Sequence, residues 1–283
     1  MKKTIVLPIL LFLFVPFSHS QVKVPQASPH ASLEQVVGLT KIEVDYSRPG
    51  VKDRKIFGEL VPYGELWRTG ANQNTLIEFS DDVVINGKTL KQGIYSVFTK
   101  PGKEFWQIYF YSDIQNWGLP QKWTDEKVVL ETQAKVQELA NQVETFTIML
   151  SDLTNNSASL DFIWENTKAS LKFEVPTEEK AMQSIKSTLS GEAKWSDYYA
   201  AADYFFSEGK DLKQAYEWIT TAIKMNEKAP FYVIRKKALI EYQLGMREEA
   251  IESAKQSLEA AQEAKNEDYV KMNEASLKEW GAK

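Results

Sequence analysis

The sequence contains no cysteine and only two histidines, His19 and His30, in 283 residues. Without cysteine the chain can form no disulfide bond, no thiolate metal site and no thiol nucleophile. His19 falls in the predicted leader described below, so His30 alone remains after processing. A site with two His ligands is therefore excluded. A Ser-His-Asp triad would have to recruit His30, which we expect in a flexible lead-in segment. The possibilities that remain are catalysis by carboxylates, a metal site with oxygen ligands, or no catalytic activity at all.

Several common functional signatures are also missing. The sequence has no glycine-rich phosphate loop, no dinucleotide-binding fingerprint and no calcium-binding loop. It has no basic block either: 34 Lys and Arg stand against 39 Asp and Glu, which gives a formal net charge of −5. Removal of Lys2 and Lys3 with the leader makes this charge −7. A mildly acidic chain argues against nucleic acid and anionic membranes as partners.

The first twenty residues predict a secretory signal peptide. Lys2 and Lys3 precede an apolar run, residues 5–17, that two prolines interrupt. Small residues at Ser18 and Ser20 then favour cleavage after Ser20. The run is too short and too broken for a spanning helix, and the absence of cysteine rules out a lipid anchor on an N-terminal Cys. We expect an exported protein, most simply periplasmic, with no membrane span in the mature chain.

The mature chain of roughly 260 residues suits two domains and can bury a core without disulfides. Residues 21–175 are predicted to form the first domain, because apolar and polar residues alternate. Ile42, Val44 and Tyr46, for example, would share one face of a strand. Nine or so short strands with turns between them favour an antiparallel β-sandwich or partly closed barrel. The predicted strands are 41–46, 75–80, 82–85, 88–90, 94–99, 105–111, 128–130 with an extension towards 136, 145–150, 158–164 and 169–175.

Residues 176–283 are predicted to form a second, α-helical domain. They carry no β-rich run and are dominated by Ala, Lys, Glu and Gln. Thr177 is the predicted N-cap of the first helix, which has acidic residues in its first turn. The further predicted helices span residues 196–207, 212–225, 230–244, 247–264 and 267–280.

Two helix pairs of this domain repeat at a step of 35 residues. Ala215 corresponds to Ala250, and Ala222 to Ser257. The pattern resembles the tetratricopeptide repeat, which needs small residues where paired helices touch and exposes a surface for protein partners. It departs from that repeat at Glu227, where a proline is usual. An unrelated amphipathic helical hairpin is the alternative interpretation.

Residues 54–79, the central stretch, mix side-chain types more densely than the rest of the sequence. Gly58, Gly64 and Gly70 punctuate the stretch, so it must turn repeatedly. Its cations, amides and aromatic rings could converge on a small anionic or glycan ligand. Arg offers a planar fork for carboxylate or phosphate, and Trp or Tyr offers a platform for a sugar face. The predicted ligand-binding residues are Arg48, Arg54, Tyr63, Trp67, Arg68, Asn72 and Asn74, with Lys52 and Lys55 in the same basic cluster.

A structural role for the same residues stays open. Arg68 would then pair with an acid, Trp67 would cover the β core, and the Asn side chains would hold turns. The acids available to Arg68 are Glu59, Glu65 and Glu78.

Two other groups of residues offer weaker alternatives. Glu59 and Glu65 could act as a carboxylate pair in glycoside hydrolysis. Further along the chain, several aromatic residues could line a sugar cleft, although such residues more often form core. These are Trp106, Tyr109, Tyr111, Trp117 and Trp123.

Several motifs in and around the central stretch are similar to the signature of the domain-of-unknown-function 2911 family. The similarity covers roughly residues 22–175, with Asp53 at a position where the family pattern leads us to expect Gly. The resemblance implies an exported β domain with an appended helical repeat region. It carries over no activity and no residue role, because none is established for the family. The motifs are 46–49 (YSRP), 54–58 (RKIFG), 60–64 (LVPYG), 66–72 (LWRTGAN), 87–88 (GK), 93–96 (GIYS), 101–102 (PG) and 117–118 (WG).

These observations favour a non-enzymatic binding or scaffolding protein of the cell envelope. We expect a small anionic or glycan ligand at the β domain, a protein partner at the helical repeats, and no cofactor, catalytic residue or metal site. One alternative is a purely structural or interaction protein without a small ligand. The other is a hydrolase that depends on carboxylates or a metal.

Overall fold

The computed structural model describes residues 24–282, which divide into two compact units. The first unit comprises residues up to 36, 41–153 and 157–174, and the second comprises 37–40, 154–156 and the chain from 175 onward. The predicted signal peptide and its cleavage site lie outside the described residues. Within residues 24–282, no helix combines the length and the apolar character that crossing a membrane requires.

The first unit is built on one antiparallel sheet of nine strands in the order β1-β2-β3-β6-β7-β8-β9-β4-β5. The sheet is continuous and not closed, so the hydrogen bonding shows neither two separate sheets nor a complete barrel. The prediction of an antiparallel β domain is confirmed at that level. The strands are β1 (His30–Val37), β2 (Thr40–Ser47), β3 (Thr75–Phe79), β4 (Val83–Ile85), β5 (Lys88–Leu90), β6 (Gly93–Lys100), β7 (Phe105–Tyr111), β8 (Val128–Ser151) and β9 (Ser157–Glu174).

The two last strands are much longer than the sequence suggests. Residues 128–136 and 145–150 belong to the single strand β8, and residues 158–174 belong to β9. The early part of β8 pairs with β7, and its later part pairs with β9. The β8–β9 register shifts between Glu138 and Val143, where the polar sequence conceals the continuity of the strand.

The edge strand β1 corrects one prediction. His30 does not lie in a flexible lead-in but is the first residue of β1. Its Nε2 lies 3.3 Å from Oδ1 of Asp45 on the neighbouring strand β2. Both side chains are about half exposed, so this contact adds little to stability.

Alternation of apolar residues places the β core as predicted. Ile42, Val44 and Tyr46 of β2 are all buried, and the intervening residues are more exposed. In β7, the five apolar residues after Phe105 are buried, which fits a strand covered on both faces. The core contains many aromatic rings, and Trp106, Trp164 and Tyr111 are among the largest side chains that are fully buried.

The second unit contains six α-helices, and the helices predicted from the sequence are found at nearly the same bounds. Acidic residues in the first turns and left-handed glycines after the last turns mark the ends of several of them. The helices are α1 (Thr177–Leu189), α2 (Trp195–Ser207), α3 (Leu212–Lys224), α4 (Phe231–Gln243), α5 (Arg247–Glu263) and α6 (Glu267–Glu279).

The helix pairs α2–α3 and α4–α5 share their turn chemistry. After α2, the N–H of Lys210 binds the carbonyl of Phe205 at 2.8 Å, around Gly209 with φ of 61°. After α4, the N–H of Met246 binds the carbonyl of Glu241 at 2.9 Å, around Gly245 with φ of 81°. Both turns therefore end a helix with the same glycine-dependent hydrogen bond.

Small residues separate the packed helices at the repeated positions. Ala215 and Ala222 on α3 and Ala250 and Ser257 on α5 are all completely buried. Ala215 packs in a cluster with Ile219, and Ala250 lies in a second cluster that includes Trp280. A larger side chain at any of these four positions would push two helices apart.

We expect Ala215→Leu to lower the free energy of unfolding of the helical unit by about 1–3 kcal/mol, because the site has no room for three more carbon atoms. Urea unfolding followed by circular dichroism measures the change. Ala275→Leu on α6 is the matched control, since Ala275 is exposed, and it should change stability by less than about 0.5 kcal/mol. Equal effects of the two substitutions would contradict the assignment of a tight helix contact.

Candidate functional site

The loop between β2 and β3, residues 48–74, contains most of the central stretch and is fixed to the sheet by backbone hydrogen bonds. The N–H of Val51 binds the carbonyl of Glu144 at 2.7 Å. The backbone groups of Trp67 exchange two hydrogen bonds with those of Thr99 on β6, at 2.7 and 3.0 Å. The loop is irregular in conformation but is bonded to the sheet near both of its ends.

Trp67 lies at the centre of an aromatic cluster beneath this loop. Its ring stacks on Trp164 with 5.8 Å between centroids and 15° between planes. Edge contacts at 5.1 Å to Phe146 and 6.0 Å to Trp106 surround it, and only 9% of the residue is exposed. Burial of so many rings gives the loop a large apolar contribution to stability.

Arg48 ties the end of β2 to β8. Its Nε donates to the carbonyl of Phe146 at 3.0 Å, and its Nη2 donates to Oγ1 of Thr147 at 2.7 Å. Tyr46 makes a similar tie, because its hydroxyl accepts the N–H of Ile148 at 3.0 Å. Two N–H groups of the Arg48 guanidinium are thus bonded to the protein itself.

Three other cations of the loop converge on one cavity of about 350 Å³, which we call the basic cavity. Lys52, Arg54 and Arg68 line it, and Trp67 and Trp164 form an apolar wall. No Asp, Glu or His is among the lining residues. Within residues 24–282, none of the three cations forms an ion pair with a carboxylate. The cavity is therefore positively charged and has donors to offer.

The guanidinium of Arg68 is held in place but not fully used. Its Nη1 donates to the carbonyl of Asn72 at 3.2 Å and packs against Gly118, where a Cβ atom would lie only 3.1 Å away. The predicted partners Glu59, Glu65 and Glu78 form no ion pair with it. Nε and Nη2 of Arg68 have no protein partner in the described chain, so these two nitrogens, which carry three N–H groups, remain for a ligand.

Arg54 and Lys52 complete the basic cavity from the other side. Arg54 donates from Nε to the carbonyl of Val51 at 3.0 Å and from Nη2 to that of Gly50 at 2.6 Å. The backbone N–H of Lys52 binds Oε1 of Glu144 at 2.9 Å, so this carboxylate partly offsets the positive charge. Lys52 and Asp53 have φ of 48° and 57°. Gly adopts such left-handed φ values without strain, so this turn is compatible with the Gly that we expected at position 53.

The remaining predicted residues lie outside the basic cavity. Tyr63 is 43% exposed on an outer turn, where its ring covers Gly58. Asn72 donates from Nδ2 to the carbonyl of Ser28 at 3.2 Å and to Oγ of Ser47 at 3.3 Å, which holds the start of the described chain against the loop. Asn74 lines a different cavity. The basic cavity thus brings together the predicted residues Arg54, Trp67 and Arg68, and it also contains Lys52. The other four predicted ligand-binding residues do not line it: Arg48, Tyr63, Asn72 and Asn74.

The cavity that Asn74 lines, which we call the polar cavity, has a volume of about 320 Å³ and lies at the ends of β2 and β3 beside residues 114–117. Asp113 orders that segment: its carboxylate accepts Nζ of Lys127 at 2.7 Å and the N–H of Gln115 at 3.3 Å. These hydrogen bonds, the one from Lys127 first, hold the pKa of Asp113 below its usual range. Asn74 and Trp117 are both evident in the sequence, but no local pattern shows that they line the same cavity.

Aromatic residues that could have formed a sugar cleft divide into two groups. Trp106, Tyr109 and Tyr111 are buried core residues, and Trp123 stacks on Tyr111 at 4.7 Å between centroids. Trp117 is 70% exposed beside the polar cavity. In residues 24–282, no three His, Asp or Glu side chains gather closely enough to hold a metal ion.

A family model described as "Protein of unknown function (DUF2911)" matches residues 28–173, just over half of the chain. The chain therefore belongs to this family of uncharacterised β domains, and the predicted resemblance is confirmed for the first unit. The match includes every lining residue of the basic cavity except Ala27. The comparison with curated proteins finds no match, and the comparison with solved structures finds none either.

We expect Trp67→Ala to lower the free energy of unfolding of the β unit by about 3–5 kcal/mol, because it empties the centre of the aromatic cluster. Urea unfolding monitored by near-UV circular dichroism reports the loss. Trp117→Ala is the matched control, because that ring is exposed and should change stability by about 0.5 kcal/mol or less. A loss below about 1 kcal/mol for Trp67→Ala would show that the cluster does not hold the loop.

Proposed function

We propose that the β unit binds a small anion, a molecule that carries a carboxylate or phosphate group, in the basic cavity. The observation that carries the proposal is the convergence of Lys52, Arg54 and Arg68 on a cavity lined by no acid. Like charges that line one small cavity repel one another, and an anion bound among them would relieve that repulsion. The cavity is also of the size usual for small-molecule sites.

The unused donors of Arg68 favour a planar or tetrahedral anion over other ligands. Guanidinium groups bind carboxylate and phosphate oxygens through parallel hydrogen bonds, which are shorter and stronger than neutral ones. Its Nη1 bond to Asn72 fixes the side chain before the ligand arrives, so less rotamer entropy is lost on binding. Arg54 is fixed in the same way by two backbone carbonyls.

The alternatives are less well supported at this cavity. A glycan would need an open aromatic face, but the ring of Trp67 stacks on Trp164. A purely structural role accounts for the hydrogen bonds from Arg54 and Arg68 to backbone carbonyls, but it does not account for three cations together whose side chains form no ion pair with a carboxylate in the described chain. A hydrolase would need a catalytic base in the cavity, but the lining contains no carboxylate and no histidine, and the neighbouring carboxylate of Glu144 accepts the backbone N–H of Lys52. A non-enzymatic binding role therefore agrees best with the geometry.

We also propose that the helical unit is a tetratricopeptide-like module that binds a protein partner. The 35-residue step, the buried small residues and the matching glycine turns support this proposal, as do exposed apolar side chains such as Tyr242 and Met272. Amide hydrogen exchange of the chain, measured with and without a protein that copurifies with it stoichiometrically, would test the proposal. Protection is expected on the helices, and protection of the β unit alone would contradict it.

Export to the periplasm is the third part of the proposal, and it rests on the sequence pattern of residues 1–20. N-terminal sequencing of the protein recovered from the envelope fraction should begin at Gln21. A protein that retains Met1 and stays in the cytosolic fraction would contradict export.

Inorganic phosphate and citrate are suitable probes of the basic cavity. At about a hundredfold excess over the dissociation constant, either ligand should raise the midpoint of thermal unfolding of the β unit by roughly 5–10 °C, because it binds only the folded state. Arg68→Ala should lose the shift. Lys55→Ala should keep it, because Lys55 is an exposed cation of the same loop that pairs with Glu59 and does not line the cavity.

Sodium chloride at matched ionic strength controls for general screening. An equal shift in wild type and Arg68→Ala would place binding elsewhere and contradict the proposal. The absence of any shift in the wild type with both probes would contradict it as well.

A further inference from the structure

The polar cavity differs from the basic cavity in chemistry as well as in position. It is lined by polar groups from Asp45, Asn74, Gln115 and Asn116, and by the ring of Trp117. No Lys or Arg is among its lining residues. We propose that the polar cavity is a second ligand site, which binds a neutral polyhydroxylated molecule such as a sugar unit.

Asn74 supplies the first argument. It is only 4% exposed, and its Nδ2 donates to Oγ of Ser96 at 2.7 Å. The hydroxyl of Ser96 in turn donates to the carbonyl of Asp113 at 2.7 Å, so this chain of bonds fixes which end of the amide is the acceptor. Oδ1 of Asn74 is left buried without a hydrogen-bond partner in the described structure. An unsatisfied buried acceptor is costly, and Asn74 lines the cavity, so a ligand hydroxyl that reaches Oδ1 would satisfy it.

Trp117 supplies the second argument. It is 70% exposed, the highest exposure among the large aromatic residues of the described β unit. The segment that carries it is ordered by Asp113, which binds Gln115 and Lys127, and by the Nδ2 of Asn116, which donates to the carbonyl of Asp113 at 3.2 Å. An exposed indole beside a cavity is a platform for the C–H face of a sugar ring, because both surfaces are apolar and flat.

The charge of the cavity supplies the third argument. Asp45 contributes a carboxylate that is about half exposed and lies beside His30. A carboxylate accepts hydrogen bonds and has no donor to give, so it suits hydroxyl groups and repels anions. Amides at Gln115 and Asn116 add both donors and acceptors. This set matches a neutral sugar and does not match the anions expected in the basic cavity.

Cellotriose and chitotriose are suitable probes, since both are neutral and present several hydroxyl groups. Titration of the chain from Gln21 to Lys283 should give a saturable change in tryptophan emission and a saturable heat in calorimetry with at least one of them. Trp117→Ala should weaken the calorimetric affinity about tenfold or more, because stacking on the ring is lost. The exposed position of Trp117 means that the variant should unfold at the wild-type temperature.

Leu119→Ala is the matched control, because Leu119 is 47% exposed just beyond the segment and does not line the cavity. It should bind the sugar like the wild type. Wild-type protein that binds neither probe saturably would overturn the proposal. Unchanged affinity in Trp117→Ala, or equal loss in Leu119→Ala, would overturn it too.

Discussion

The packing of Trp67 against Trp164 is the contact on which the β unit depends. The chain has no disulfide to hold the irregular loop 48–74, so apolar burial must do so. The loop is held against the sheet by the stacked rings, by the flanking Phe146 and Trp106, and by the backbone pairing of Trp67 with Thr99. The basic cavity lies directly beside this cluster, and both tryptophans form its wall. The position of the three cations is therefore a consequence of how the aromatic cluster packs.

The class and order of the elements could be predicted because local patterns determine them. Helix bounds in the second unit follow from apolar periodicity, glycines and small residues, which act within a few positions of one another. The long strands β8 and β9 could not be delimited in the same way. Residues 137–144 are mostly polar and read as a loop, yet pairing with β9 and with residues 49–51 keeps them extended. The prediction that His30 lies in a flexible segment was wrong for a similar reason, because only pairing with the neighbouring strand β2 makes His30 part of β1.

The candidate site could be predicted in composition but not in arrangement. The basic and aromatic residues of the central stretch are evident in the sequence, and Arg54, Trp67 and Arg68 do converge. Whether a cation is free or already bonded depends on distant backbone carbonyls, and no local pattern shows that Arg48 reaches Phe146. The separation of Asn74 from Arg68 likewise depends on how the loop turns at Asn72. Asn74 and Trp117 line the same cavity although they are far apart in the sequence, and spacing cannot reveal this.

The continuity of β8 also gives the fold a seam. Residues 128–135 pair with β7, residues 135–138 and 143–151 pair with β9, and the β8–β9 register shifts between Glu138 and Val143. The intervening residues 139–142 are largely exposed. A break in the backbone there would leave the residues on both sides of it paired with β9, and the earlier part of β8 paired with β7 as well. The chain can therefore be divided at this seam into two separately produced fragments that reassemble by complementation, and a reporter peptide can be inserted at the same position.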